Sequence, residues 1–187
     1  MKSRNSFIST LVGLLAGSTL LGLAAFNQSA RAGGPVLVEL FTSQGCNSCP
    51  PADQMLGKLA QQDDVIALAF HVTYWDRLGW VDSFGDPVHD DRQRHYRQKL
   101  GRGLYTPQMV IAGQADVVGG HPQIPRAVAA LTNEISPQAI TIDEAGGLVL
   151  PRFEGVPVEL WAAVVENHQN VAIQRGENRG KSLDYHR

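Results

Sequence analysis

The chain has 187 residues, of which 43% are hydrophobic and 18% are charged, and its formal net charge is −2. This composition is typical of a globular protein that is long enough to bury a core, and it excludes a disordered or fibrous chain. The acidic balance argues against a nucleic-acid-binding protein, because contacts with phosphates need clustered basic groups.

The first 32 residues differ in kind from the rest of the chain. Lys2 and Arg4 precede an uncharged, mostly apolar run from Phe7 to Phe26, and alanines flank Arg31. This order is typical of an export signal, so residues 1–32 are predicted to be a removed signal peptide, with an uncleaved membrane anchor as the alternative. Without this segment 13 of the 16 basic residues remain against 18 acidic ones. The protein is expected in the periplasm or outside the cell, where disulfides persist.

A strand, a turn and a helix are predicted next. Residues 35–41 (PVLVELF) form an apolar run of strand length with little alternation, which predicts a buried strand. The chain turns at residues 43–45, and apolar residues then recur at helical spacing behind Pro50 and Pro51, which fit the first turn of a helix. A second buried strand is predicted over residues 65–72 (VIALAFHV). These three elements make a βαβ unit with a parallel crossover.

An aromatic segment, TYWDRLGWVDSFGDP, leads to a second helix. Asp86 is predicted to cap this helix, which begins at Pro87 and stops at Gly101. Two short apolar runs around residues 112–114 predict a hairpin, and residues 125–135 predict a further amphipathic helix.

The pattern of apolar residues changes near Ser136. Apolar runs separated by Gly and Pro predict antiparallel strands there. The runs span residues 140–142, 148–150 and 158–165. The predicted organisation is a signal peptide (1–32), an α/β domain (33–136) and a β-rich extension (137–187).

Both cysteines, Cys46 and Cys49, lie in the turn between the first strand and the first helix. One Cys-x-x-Cys pair can be a redox couple, half of a metal site or a structural clip. In a redox couple, Cys46 at the helix start would attack, because the helix N-terminus favours its thiolate, and Cys49 would resolve. The alternatives are a metal site completed by His71 or His121, which suits Cu(I) or, less completely, Zn(II), and a fixed disulfide that pins the turn.

The order of elements and four of their segments resemble a known fold and family. A Cys-x-x-Cys pair at a helix start, and Thr106-Pro107 directly before a hairpin, are similar to the landmarks of the thioredoxin fold. The segments VELFTSQGCNSCPPAD, LAFHVTYWDRLGW, YTPQMVIAG and GENRGKSL resemble signature segments of the exported thioredoxin-like family named domain of unknown function 1223. The match covers nearly all of the chain after the predicted signal, and four ordered segments are far more specific than one Cys-x-x-Cys pair.

The resemblance implies an α/β, thioredoxin-like fold, with a mixed central sheet flanked by helices and a small β-rich C-terminal extension. It also implies that Pro107 is cis, and that Thr106 and Pro107 lie against the cysteines and bind a peptide substrate. Proteins of that family usually continue after the ENRG segment with further strands. If the chain is complete at Arg187, the extension is expected to lack a partner strand and to leave an open sheet edge.

The aromatic segment has two interpretations. Tyr74, Trp75, Trp80 and Phe84 could form an apolar wall beside the cysteines, with Trp75 and Trp80 contacting the substrate, or they could be a satellite core under a long loop. His71 is predicted to be a packed, hydrogen-bonded histidine at the end of its strand.

The aspartates have simpler explanations than a metal cluster. Asp86 fits a helix cap, and Asp90 and Asp91 fit first-turn acids that complement the helix dipole. Asp53 is the acid closest to the thiols in sequence, and the sequence leaves open whether it transfers protons or decorates the helix.

These features predict an exported thioredoxin-like protein that acts as a thiol–disulfide oxidoreductase, in which Cys46 attacks and Cys49 resolves. Its partners are expected to be protein thiols or disulfides and an unidentified redox-recycling protein. No cofactor is implied and no metal ligand is assigned. The alternatives are a copper-binding protein of the same fold, or a redox-inactive binding module with a fixed disulfide.

Overall fold

A computed structural model describes residues 34–132, 140–151 and 161–186. The predicted signal peptide, residues 1–32, lies outside the described residues. Within the described ranges, no helix is both long and apolar enough to cross a lipid bilayer.

A four-stranded mixed sheet forms the centre of the fold. Its strands are β1 (Val36–Thr42), β2 (Val65–His71), β3 (Gln108–Ile111) and β4 (Ala115–Val118). β1 pairs in parallel with β2 and antiparallel with β3, and β3 pairs antiparallel with β4, which gives the order β2-β1-β3-β4. The predicted βαβ unit and hairpin are therefore confirmed.

Three helices and one short 3-10 helix pack around this sheet. They are α1 (Pro50–Leu59), the 3-10 helix Asp76–Leu78, α2 (Pro87–Leu100) and α3 (Ile124–Thr132). Asp86 caps α2 as predicted, because its carboxylate accepts a 2.9 Å hydrogen bond from the N–H of Val88. The helix ends at Gly101, whose φ of 68° is one that glycine adopts without strain. The fold is thioredoxin-like, as expected.

β1 is buried on both faces because helices cover both sides of the sheet. Its even-numbered residues from Val36 to Leu40 pack with residues of α1 and α3, while Phe41 packs with Tyr96 of α2 on the other face. Glu39 is also fully buried on the α2 face, where the Tyr96 hydroxyl and the Arg92 guanidinium donate to its carboxylate. A buried charge needs such partners, and they join α2 to the centre of the sheet.

The C-terminal part forms two hairpins. The first pairs β5 (Thr141–Ile142) with β6 (Leu148–Val149), which confirms the strands predicted there, and the second pairs β7 (Gln169–Ala172) with β8 (Ser182–Tyr185). The strand predicted at 158–165 is wrong over its described part, because residues 161–165 pair with no strand among the described residues. Residues 158–160 lie outside the described ranges.

The second hairpin packs against α1 through a glycine. A Cβ atom on Gly57 would lie 2.4 Å from Cδ2 of His186, so the absence of a side chain at this helix position lets the end of β8 approach. A glycine inside a helix costs about 1 kcal/mol relative to alanine, and here the close packing explains why it is present.

We expect Gly57→Ala to change stability in opposite directions in two backgrounds. In the wild-type protein the new methyl group should displace His186 and lower the free energy of unfolding by about 1 kcal/mol. In a His186→Ala background it should raise the free energy of unfolding by up to about 1 kcal/mol, through helix propensity alone. Urea unfolding of the four proteins measures this coupling, and equal effects in both backgrounds would contradict the packing described.

Candidate active site around the Cys46–Cys49 disulfide

The two cysteines form a disulfide in the turn that connects β1 to α1. Because α1 begins at Pro50, Cys49 is its N-cap residue and Cys46 lies in the turn that precedes the helix. The expectation that Cys46 lies at the helix start is therefore wrong. Both cysteines are fully buried. An incoming sulfur atom reaches the disulfide only when a neighbouring segment shifts.

The first turn of α1 offers no free N–H group to a thiolate. Its first two residues are prolines, which have no N–H, and the N–H groups of Ala52 and Asp53 both donate to the carbonyl of Cys49, at 2.8 and 3.1 Å. The helix N-terminus therefore does not favour the Cys46 thiolate through free N–H groups of this turn. The positive end of the helix dipole is the remaining feature that favours the thiolate form of a cysteine at this end of α1.

Asp53 is buried one helical turn beyond Cys49. Its side chain accepts a 2.8 Å hydrogen bond from the Thr42 hydroxyl, and its residue is 3% exposed. Burial raises the pKa of Asp53 to about 7, although the Thr42 hydrogen bond and the nearby His71 act in the opposite direction. The carboxyl group is therefore able to hold or release a proton near neutral pH, which the sequence left open.

A buried histidine–aspartate pair lies at the end of β2. His71 Nδ1 bonds to Asp82 Oδ2 at 2.8 Å, so the prediction of a packed, hydrogen-bonded His71 is confirmed. Asp82 also accepts from the N–H groups of Gln44 (2.7 Å) and Phe84 (2.9 Å). Burial alone would raise the pKa of Asp82, but the hydrogen bond and charge of His71, followed by these N–H bonds, lower it. Asp82 thus anchors the backbone two residues before Cys46.

Tyr185 of β8 closes this buried cluster. Its ring packs edge-on against those of His71 and Phe84, with centroids 4.9 and 5.8 Å apart, and the residue is 4% exposed. Within the described part of the chain, its buried hydroxyl has no hydrogen-bond partner. Burial, followed by the charges of Asp53 and Asp82, raises the pKa of Tyr185. The C-terminal extension therefore supplies a neutral phenol beside both carboxyl groups.

The turn between β7 and β8 is hydrogen-bonded to the cysteine turn. Nδ2 of the fully buried Asn178 donates to the carbonyl oxygens of Gln44 and Cys46, at 2.9 and 2.8 Å. Glu177 Oε2 accepts from the N–H of Asn47 at 3.2 Å. Sequence reasoning missed both residues as parts of the site. The signal that could have found them was the GENRGKSL segment, which was noted for its resemblance but given no role.

The structure brings two of the predicted substrate-binding residues to the cysteine turn. The Thr106–Pro107 bond is cis, as predicted. Trp75 Nε1 donates to Thr106 Oγ1 at 2.8 Å, and a Cβ atom on Gly45 would lie 3.2 Å from Trp75 Cβ. Trp75 thus links Thr106 to the residue before Cys46.

Pro107 and Trp80 border the same region. A Cβ atom on Gly119 would lie 2.6 Å from Ala52 Cβ and 2.9 Å from Pro107 Cβ, so Pro107 lies close to the first turn of α1. Trp80 Nε1 donates to the side chain of Gln44 at 2.8 Å. The predicted site residues therefore surround one turn, while their roles in substrate binding stay predictions.

The aromatic segment is also part of the core. Tyr74 and Trp75 pack against the cluster around Phe41 and Val110, which fits the satellite-core interpretation. Trp75 belongs both to this core cluster and to the surroundings of the cysteine turn, because its indole N–H is bonded to Thr106.

No contact favours the copper alternative. In residues 34–132, 140–151 and 161–186, no group of three or more His, Cys, Asp or Glu side chains could hold a metal ion. His71 is bonded to Asp82, and His121 is exposed, with its Nδ1 accepting from the N–H of Gln123.

Comparisons with known proteins give a family and two similar structures. The family model described as Protein of unknown function (DUF1223) matches residues 37–187. A crystal structure of a protein from Agrobacterium tumefaciens is 45% identical and has a TM-score of 0.51, over 56% of this chain and 48% of that one. A thioredoxin of Malassezia sympodialis, Mala s 13, is 21% identical with a TM-score of 0.34, over 55% and 81%. The match thus spans about half of the Agrobacterium protein. No curated protein matches the sequence.

Proposed function

We propose, on the premise that the chain belongs to the family described as Protein of unknown function (DUF1223), that it is an exported thiol–disulfide oxidoreductase acting on protein thiols. The observation that carries the proposal is the Cys46–Cys49 disulfide in a thioredoxin-like fold, one helical turn from a buried carboxyl group. The two sulfur atoms themselves accept the two electrons when the disulfide is reduced to a dithiol, so the proposed chemistry needs no cofactor.

The proposed reaction proceeds through a mixed disulfide. A partner thiolate attacks Sγ of Cys46, the Cys46–Cys49 bond breaks, and Cys49 leaves as a thiolate that takes a proton from Asp53. A second partner thiolate attacks the partner's sulfur in the mixed disulfide and releases Cys46 as a thiolate, which is then protonated by solvent. Two electrons pass from the partner to the protein, which ends as a dithiol, and the partner ends as a disulfide. The reverse sequence oxidises the dithiol.

The surroundings of the two sulfur atoms support this division of roles. Cys46 Sγ lies 3.4 Å from Oγ of the exposed Ser48, so a small shift of this turn opens Cys46 to a partner. Cys49 caps α1, and its carbonyl accepts from the N–H of Asp53. A carboxyl group with a pKa of about 7 suits proton transfer to and from a thiol at neutral pH.

The proposal also specifies a cellular compartment and a redox partner. The apolar segment behind Lys2 and Arg4 supports export to a compartment in which disulfides persist. An exchange protein in such a compartment needs a second redox protein that returns it to its starting state.

An equilibrium redox titration tests the proposal. We expect a reversible two-electron transition with a midpoint between about −270 and −120 mV, the range of proteins that exchange disulfides with other proteins. The dithiol fraction is measured by alkylation and mass spectrometry across a glutathione series. A midpoint below about −300 mV would instead indicate a fixed structural disulfide.

A further inference from the structure

Four exposed basic residues lie on the two segments that contact the cysteine turn through Asn178 and Trp75. Arg175, Arg179 and Lys181 belong to the β7–β8 connection, and Arg77 belongs to the 3-10 helix that follows Trp75. We call these four residues the basic rim.

The β7–β8 connection, which carries three of these residues, is joined to the cysteine turn by direct contacts. Asn178, between Glu177 and Arg179, donates to the carbonyl of Cys46 at 2.8 Å, and Lys181 Nζ donates to Asn178 Oδ1 at 2.8 Å. The N–H of Arg179 closes the turn by donating to the carbonyl of Gly176 at 3.2 Å. The connection that carries Arg175 and Arg179 is therefore fixed to the backbone of Gln44 and Cys46 through Asn178.

The acidic side chains of these segments are outnumbered by the four residues of the basic rim. Three acidic residues lie on or beside these segments, against four basic ones: Glu177 is exposed and accepts from the N–H of Asn47, Asp76 accepts from the N–H of Asp82, and Asp82 is buried and bonded to His71. In the described part of the chain, neither Arg175 nor Arg179 forms an ion pair. The local charge is thus positive, although the whole chain has a formal net charge of −2.

We propose that the basic rim selects thiol partners whose reactive cysteine is flanked by acidic residues. This inference rests on the proposed function and names its substrate class. Because both sulfur atoms are buried, a partner has to approach along the turns that border them, and its flanking residues then meet Arg175 and Arg179. At about 0.1 M salt, charges interact over roughly 10 Å, so the arginines steer an acidic segment as it arrives.

Two matched peptides test the selection. Each has ten residues and one cysteine, flanked on both sides by two glutamates in one peptide and by two lysines in the other. We expect the oxidised protein to react at least about fivefold faster with the glutamate peptide at low salt, and this ratio should fall towards one at about 0.5 M salt. The Arg175→Glu/Arg179→Glu variant should invert the preference. Stopped-flow alkylation followed by mass spectrometry gives the rates.

A small uncharged thiol separates the two proposals. Dithiothreitol should reduce the wild type and the charge-reversed variant at equal rates, because it senses the disulfide and not the rim. Arg97→Glu/Lys99→Glu makes the same charge change in the last turn of α2, and it should keep the wild-type preference.

The outcomes are distinct. Equal reduction by dithiothreitol without a preference between the peptides would overturn the basic rim and leave the proposed function intact. No reversible reaction with either kind of thiol would overturn both. A preference that the α2 variant also loses would show that overall charge, and not the rim, selects the partner.

Discussion

Cys46→Ser is expected to abolish exchange with protein thiols, whereas Cys49→Ser is expected to accumulate a partner as a mixed disulfide. The first change removes the sulfur that a partner reaches beside the exposed Ser48. The second keeps that sulfur and removes the one that resolves the intermediate, so the partner stays attached. The two variants are matched, because each replaces one sulfur of the same buried pair by one oxygen.

Trapping measures this prediction directly. Each variant is incubated with an extract of the exported compartment, and covalent adducts are identified by mass spectrometry before and after reduction. The double variant Cys46→Ser/Cys49→Ser is the control and should trap nothing. Loss of the disulfide should cost less than about 3 kcal/mol of stability, because the loop that it closes is very short. Adducts through Cys49 in the Cys46→Ser protein would reverse the assignment of the two roles.

Asp53→Asn is expected to stabilise the protein at pH 8 and to slow exchange. Burial holds the pKa of Asp53 at about 7, above its ordinary 3.8, so folding favours the protonated form. The contribution of protonated Asp53 to the free energy of unfolding is therefore complete below pH 4, decreases as the pH rises from 4 to 7, and is absent above pH 7. Asparagine stays neutral and still accepts from the Thr42 hydroxyl.

The expected gain is large. A tenfold change in proton affinity is worth about 1.4 kcal/mol, so the change in pKa from 3.8 to about 7 corresponds to as much as about 4 kcal/mol at pH 8. At pH 4 the two proteins should be nearly equal. Urea unfolding at pH 4, 6 and 8 measures the difference, and a gain that does not depend on pH would contradict the linkage.

Asp82→Asn is the matched control for Asp53→Asn, with the opposite sign. Its hydrogen bonds hold the pKa of Asp82 below the ordinary value, so its contribution to stability is present above pH 4 and is lost as the pH falls. Asp82→Asn should therefore destabilise the protein at pH 8.

Exchange by Asp53→Asn should be slower by on the order of 10²-fold and should lose its pH dependence near 7, because the group that moves the proton is gone.

Local features of the sequence determined most of the α/β core. Apolar runs of strand length, the paired prolines behind the cysteines, and Asp86 before Pro87 depend on neighbours within a few residues, so β1, α1, β2 and α2 were predicted close to their observed bounds. The Cys-x-x-Cys turn was found in the same way, whereas the cis Thr106-Pro107 bond was predicted only from the resemblance to the thioredoxin fold. The redox interpretation placed Cys46 at the helix start, although the prolines assigned to the first turn begin the helix at Pro50, four residues later.

Only the tertiary structure decided what surrounds the disulfide. Asn178 bonds to a backbone 132 residues earlier, and Tyr185 packs on a histidine of β2, so no local pattern could connect either residue to the cysteines. No local pattern predicts the partner of Glu39 either, because Glu39 lies within an apolar strand and its charge is balanced by Arg92, 53 residues away. The pKa of Asp53 likewise depends on burial by the whole fold, because the cost of removing a charge from water is set by everything packed around it.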